Sequence, residues 1–403
     1  MVDTLCKIDP SHKQGVIEVK GKKILFVKIE RAIYGMLQSA LLFHQKFGKD
    51  IEANGFVVNP YDPCAANKMV RGKQHTITWH VDDLKSSHVD PKVNDEFIKW
   101  VNDKCGALSE VKVTRGDKHV CLGVTLDYSV KGCVKIDMVD YVQRDMLDAF
   151  KGNIGSRKVT TPANENLFKI NRKSPLLSKE KHMEFHTMAA KGLFLTKRAR
   201  PDIAPVIAFL CARVQSPSEE DWEKLCRMMT FLSQTKTDVL TLSCDKSGDI
   251  KWFIDASFAV HEDFKSHTGG TMTLGKGMII SSSTKQKINT RSSTEAELVG
   301  FDDMVSKVMW SKLFLEAQGY KVRKNIVFQD NMSTMQLAKN GLASAGKRSR
   351  HLNIRLFFMT DLIDRNELDV KCCPTEEMTS DFMTKPTQGK TFVRFRNDVM
   401  NLV

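Results

Sequence analysis

Just past residue 245 the spacing of the apolar residues changes, and that change rules out a fold built from one kind of layer. Residues 176–240 carry apolar side chains at helical spacing, broken at Ser216-Pro217-Ser218, where Ser218 reads as an N-cap with Glu219 and Glu220 in the first turn. From Asp249 onward strand patterns take over, at 250–258, 270–283 and 325–331. A long amphipathic helix from Thr294 to Gln318 lies between the last two, with Leu298, Phe301, Val305, Val308 and Met309 at helical spacing. Upstream, 16–29 reads as two strands, 37–54 as a helix, 59–63 as irregular and 76–89 as a hairpin. Residues 91–107 read as a helix, 120–137 as strands turning at Lys131-Gly132, and 138–150 as a helix. Residues 151–175 mix Gly, Ser, Pro, Asn and Lys without period and read as a linker. The expected fold class is therefore mixed, α+β or α/β, with domains at 1–150, 151–245 and 246–403.

A hydrophobic fraction of 41% over 403 residues supplies real cores and excludes wholesale disorder. Lys and Arg number 61 against 48 Asp and Glu, a net charge of +13, which fits a polyanionic partner and a plain basic protein equally. The ten cysteines are scattered, with no C-x-x-C pair, so reduced thiols in a cytosolic or nuclear compartment are expected, without a structural zinc. The N-terminus lacks a signal-peptide pattern, and Pro205 and Arg213 interrupt the richest apolar run, so no membrane partner is expected.

Four acids stand where a metal-dependent nuclease needs them. Asp255 lies in a strand pattern, Glu297 in the first turn of the long helix, Asp330 at a strand end, and Asp381 in a short helix entered through Pro374 and capped by Thr375. Two carboxylates about 4 Å apart repel by about 4 kcal/mol at an effective dielectric near 20, a cost that divalent cations remove. Asp82 and Asp83 form a second acidic pair at a hairpin tip, and by themselves they read as an Asp-rich turn. Lys197-Arg198-Ala199-Arg200 and Lys347-Arg348-Ser349-Arg350 are short basic clusters that suit phosphates or a solvated surface.

Five segments in register carry a family resemblance: 253–263, 283–300, 325–340, 347–363 and 372–386. They resemble the ribonuclease H domain of copia-type retrotransposon polyproteins. The family's SSTEAE block is Ser292 to Glu297, its DN pair is Asp330-Asn331, and its closing acid before Thr-Lys-Pro is Asp381 before Thr384-Lys385-Pro386. The resemblance implies catalytic and metal-holding roles for Asp255, Glu297, Asp330 and Asp381, with Mg²⁺ or Mn²⁺ as cofactor and an RNA–DNA hybrid as partner. Glu297 is preferred to Glu295 on the register of the helix that follows. Ser257 stands where the family often has a second acid. His351 matches a family histidine that suits product release or proton transfer, or simple packing on the next helix. Lys347, Arg348, Arg350 and Asn331 are expected to contact substrate.

Most of residues 24–240 resemble the back part of the same family's reverse transcriptase. Ala32-Ile33-Tyr34-Gly35-Met36-Leu37-Gln38-Ser39 resembles its nucleotide- and template-shaping block, which makes Gln38 a substrate-binding candidate. Asn54-Gly55-Phe56, Asp62-Pro63, Leu122-Gly123 and Arg200-Pro201-Asp202-Ile203 resemble further blocks. Asp82 and Asp83 then resemble the polymerase's metal pair, with His80 where the family has tyrosine. The resemblance implies a partial palm, a helical thumb or connection, and a ribonuclease H-like mixed sheet with helices. Nothing in residues 1–23 resembles the block with the polymerase's first catalytic aspartate, so polymerisation on a primer-template is expected to be lost. The expected function is hybrid-specific RNA cleavage by two-metal hydrolysis; the alternative is a non-catalytic relic that at most binds nucleic acid.

Overall fold

The structure is a computed structural model that describes residues 1–28, 33, 35–106, 109–340 and 353–402. It divides into two compact units, Met1–Phe97 and Ile98–Val403.

The first unit begins with helix α1 (Val2–Ile8) and a hairpin of β1 (Val16–Val19) and β2 (Lys22–Leu25). Helix α2 (Leu37–Ala53) precedes a four-stranded antiparallel meander of β3 (Val57–Asn59), β4 (Asp62–Val70), β5 (Lys73–His80) and β6 (Asp83–Ser87). The hairpin read at 76–89 is present, and its tip is the pair Val81-Asp82, with His80 opposite Asp83. Phe47 of α2 packs edge-on against Trp79 of β5, and Phe56 against Phe97, so burial of aromatic rings holds helices to sheet. Helix α3 (Pro91–Cys105) fills the 91–107 helix expected from the spacing.

In the second unit, β7 (Lys118–Cys121), β8 (Val124–Asp127) and β9 (Cys133–Asp137) run antiparallel. Helix α4 (Val139–Tyr141) continues into a helical turn at Val142–Leu147. Residues 151–175 contain no helix or strand, yet Leu167 and Phe168 are buried in the core, so this segment is packed rather than free. Helices α5 (Lys179–Thr196), α6 (Ala204–Arg213) and α7 (Glu219–Gln234) follow. Ser218 caps α7 in a reciprocal box with Asp221.

Strand β10 (Leu240–Cys244) then pairs with β9, extending the sheet that began at residue 118. Next come β11 (Asp249–Ser257), β12 (His267–Thr273), β13 (Gly275–Lys276) and β14 (Ile280–Lys285). The strand read as continuous over 270–283 is broken: β13 pairs with β10 in the other sheet, and Gly277 at φ 71° turns the chain back. Helix α8 (Ser293–Ala317) is capped by the Ser292 hydroxyl. Strand β15 (Lys324–Gln329), helices α9 (Met332–Asn340) and α10 (Asn353–Asp364), strand β16 (Asp369–Cys372) and helices α11 (Asp381–Thr384) and α12 (Gly389–Met400) complete the chain.

The second five-stranded sheet has the order β14-β12-β11-β15-β16; β11 is antiparallel to β12 and parallel to β15. Two cores result. One joins α5, α6, α7 and α12 through Phe185, Leu210, Met228, Phe231, Phe392 and Phe395. The other lies between α8 and the sheet, around Trp252, Ile254, Leu298, Phe301, Val308 and Val327. The molecule is a mixed α/β protein with several antiparallel pairings. No helix among the described residues is long and apolar enough to cross a membrane.

Candidate functional site: an acidic cluster at the centre of the mixed sheet

Strand β11 is the central strand, and alternation along it sets two environments. Ile254 and Ala256 face α8, where a Cβ on Gly300 would lie 3.2 Å from that of Ala256. Asp255 points the other way, toward α11. Gly269, opposite Asp255 on β12, makes this approach possible. A Cβ there would stand 2.6 Å from the Thr384 methyl and 2.7 Å from the Ser380 carbonyl oxygen, so only glycine admits α11 so near the sheet.

The side-chain oxygens of Asp255, Glu297 and Asp330 lie within 4.8 Å of one another. Asp255 and Glu297 are buried, and Asp330 is half-buried just past the end of β15. Each carboxylate is oriented by a neighbour. The Thr384 hydroxyl donates to Asp255 Oδ2, the Thr375 hydroxyl to Asp330 Oδ2 at 3.0 Å, and Gln329 Nε2 to Glu297 Oε2 at 3.2 Å. Glu295 lies outside this group, its carboxylate accepting from the Arg291 backbone at 2.8 Å as part of the helix start. Ser257 is buried two residues beyond Asp255.

Asp381 stands beside the trio rather than in it. It is buried at the first position of α11, and its Oδ1 accepts from Lys385 Nζ at 2.8 Å. The same ammonium lies 3.8 Å from Asp255 Oδ2. Burial and the neighbouring Asp255 and Asp330 charges drive the Glu297 carboxyl far above the usual range. Burial and Asp255 raise Asp381 as well, against the pull of Lys385. Burial of Lys385 opposes its charge, but Asp255 and Asp381 outweigh it and hold the ammonium above its ordinary value. Carboxyl groups gathered this closely, two of them buried, offer converging hard oxygen donors whose ionised forms need a counter-charge, the chemistry that suits Mg²⁺ or Mn²⁺. The donor set therefore fits a divalent cation.

The remaining candidates fall elsewhere. Asp82 and Asp83 are exposed at the β5–β6 tip, and among the described residues no further His, Cys, Asp or Glu completes a cation-binding group with them. Gln38 is exposed in the first turn of α2. Asn331 accepts from the Thr334 backbone at 3.0 Å and caps α9. His351, Lys347, Arg348 and Arg350 lie outside the described residues. The cluster at 197–200 is not an open basic face. Arg200 is buried, its guanidinium on Asp202 and on the Thr235 carbonyl and hydroxyl, while Arg198 lies over the Phe194 ring at 3.6 Å. Sequence reasoning missed Thr384, Thr375, Gln329 and Lys385 as partners of the acids; the Thr384-Lys385-Pro386 block was the visible signal for two of them.

No family model matches the chain. It is 25% identical over 388 residues to the retrovirus-related Pol polyprotein from transposon TNT 1-94 of Nicotiana tabacum, covering 93% of this chain and 28% of that protein. With the corresponding polyprotein from transposon RE1 of Arabidopsis thaliana it shares 24% over 395 residues, covering 96% of this chain and 26% of that protein. The transposon Ty1-JR2 Gag-Pol polyprotein of Saccharomyces cerevisiae is 22% identical over 393 residues, covering 92% of this chain and 22% of that protein. Among solved structures, prototype foamy virus protease-reverse transcriptase aligns with 91% of this chain and 41% of its own at 12% identity, with a TM-score of 0.24, too low to establish a shared fold. The chain spans about a quarter of the length of the plant polyproteins it matches. Its homologues are retrovirus-related Pol polyproteins from copia-type transposons, and the similarity runs through most of its sequence.

Proposed function

We propose that residues 246–403 are the ribonuclease H domain of a copia-type Pol protein and cleave the RNA strand of an RNA–DNA hybrid. Residues 1–150 are, on this reading, part of a reverse-transcriptase palm, and 151–245 its thumb or connection. The observation that carries the proposal is the meeting of Asp255, Glu297 and Asp330 within 4.8 Å, from a strand, a helix and a strand end far apart in sequence. Asp255, Glu297 and Asp330, with Asp381 beside them, would hold the divalent cations. When bound, such cations polarise the phosphodiester and supply the nucleophilic water.

The chain's own residues do the rest. Thr384, Thr375 and Gln329 fix the lone pairs that each acid presents, as outer hydrogen bonds do around metal ligands. Burial of Asp255 and Glu297 excludes competing water and strengthens the charge interactions of these two acids. Recognition would rest on backbone phosphates and 2′-hydroxyls, not base sequence. The products would be a 3′-hydroxyl and a 5′-phosphate.

The test is digestion of an end-labelled hybrid with Mg²⁺ or Mn²⁺. Wild-type protein is expected to cleave only the RNA strand, and Asp255→Asn and Asp330→Asn to abolish cleavage. Folded wild-type protein that leaves the hybrid intact in both metals would instead support a non-catalytic relic.

A further inference from the structure

The acid site carries a cation of its own. Among the described residues, Lys385 is the only Lys, Arg or His within 4.0 Å of any of the four carboxylates, at 2.8 Å from Asp381 Oδ1 and 3.8 Å from Asp255 Oδ2. Those two side chains are 12% and 3% exposed, while that of Lys385 is 46% exposed, so the ammonium can swing out and the acids cannot. The three-acid group does not need Asp381. Asp381 is thus the carboxylate whose ion-pair partner is a half-exposed ammonium.

We propose that Lys385 is a tethered counter-ion that occupies the Asp255–Asp381 edge of the site and must be displaced by a divalent cation that draws on Asp381. This deepens the nuclease reading and rests on it. The site then has two unequal parts. A cation held by Asp255, Glu297 and Asp330 meets the ammonium only at 3.8 Å from Asp255, whereas one that uses Asp381 competes directly, at 2.8 Å, with a side chain at very high local concentration. Lys385 is a positioning residue here, holding Asp381 in place until the cation arrives. Its four-carbon stem and freely rotating ammonium suit a charge that leaves and returns.

The experiment measures cation binding rather than cleavage. Mn²⁺ binding to the full chain is followed by calorimetry for wild type, Lys385→Met, Lys385→Arg and Asp255→Asn, with Lys321→Met as an exposed charge control. Thermal melts are taken with and without Mn²⁺. Lys385→Met is expected to bind Mn²⁺ about tenfold more tightly at the weaker step, a change typical of groups that touch metal ligands. Its melting temperature should fall below wild type without metal and draw level once metal is added. Lys385→Arg and Lys321→Met should behave as wild type. Unchanged or weaker Mn²⁺ binding by Lys385→Met, or equal tightening in Lys321→Met, would overturn the proposal while leaving the nuclease reading intact. If neither wild type nor Lys385→Met binds Mn²⁺, both fall. Should Lys385→Met fail to fold, Lys385→Gln takes its place, with the same outcomes.

Discussion

The Thr384 hydroxyl donates a hydrogen bond to Asp255 Oδ2 across 129 residues of sequence. This contact ties the central strand of the mixed sheet to the short helix that brings Asp381, and it orients the Asp255 carboxylate.

Thr384→Val keeps the shape of the side chain and removes the donor. Hybrid cleavage is expected to drop about 10–100-fold, the usual effect of losing an outer partner of a metal ligand. Thr384→Ser should recover most of the activity. Initial cleavage rates at saturating Mg²⁺ check this; a Val variant as active as wild type would show that the hydroxyl does not orient Asp255.

Gly269→Ala places a methyl group where the Ser380 carbonyl oxygen and Thr384 methyl already stand. Helix α11 must shift, at a cost of about 1–3 kcal/mol as in overpacked cores. The urea midpoint should fall and cleavage with it. Ala at Gly72, where no atom lies within 4 Å, should leave cleavage unchanged and cost only the strain of its φ of 72°.

Buried Arg200 and Asp202 form a network with the partly exposed Arg396 and Asp238, which fastens α12 to the segment entering α6. Asp202→Asn leaves two guanidinium groups facing a neutral amide, and such broken buried pairs cost about 3–5 kcal/mol. Burial opposes the Asp202 charge, but Arg200 and Arg396 outweigh it and hold the carboxyl below its usual 3.8. Its stabilisation is therefore complete above pH about 4 and is lost as pH falls through the lower folded value. Urea unfolding of the variant at neutral pH measures the first effect. A loss under about 1 kcal/mol would mean that the network relaxes around the amide.

Buried His261 and His267 share a 2.9 Å hydrogen bond, and His267 bonds Ser283 at 2.8 Å. Burial pushes His261 down to about 4 and His267 to about 3 from an ordinary 6.5. The unfolded chain thus binds more protons below pH 6.5. Stability from this pair is full above that pH and declines as pH falls toward 4 and then 3, by up to about 1.4 kcal/mol per pH unit for each ring. Urea midpoints from pH 7 to 4.5 should fall, and His267→Gln should flatten the slope. An identical slope in the variant would assign the acid sensitivity to other groups.

The parts of the site visible in the sequence were those with local context. Asp255 sits in an apolar alternating strand, and Glu297 follows a Ser292 cap, so their elements could be read from neighbours alone. What stayed hidden was long-range pairing. Strand β10, Leu-Thr-Leu-Ser-Cys, has little to mark it, and its partner β9 lies more than a hundred residues earlier. Strand β4 opens with Asp-Pro-Cys-Ala-Ala-Asn, poor in β-branched residues, and is held by its place between β3 and β5. Arg200 read as a surface charge because its partners, apart from Asp202, come from Thr235, far along the chain.

The mixed sheet is built outward from β11, but its last strand and Asp381 come from residues 369–384. During synthesis the ribosome therefore releases the first three acids well before the segment that seats the fourth. A nascent chain cannot assemble the whole acid set until α11 has cleared the exit tunnel, so the cluster closes only when this last segment folds back onto strands made long before it.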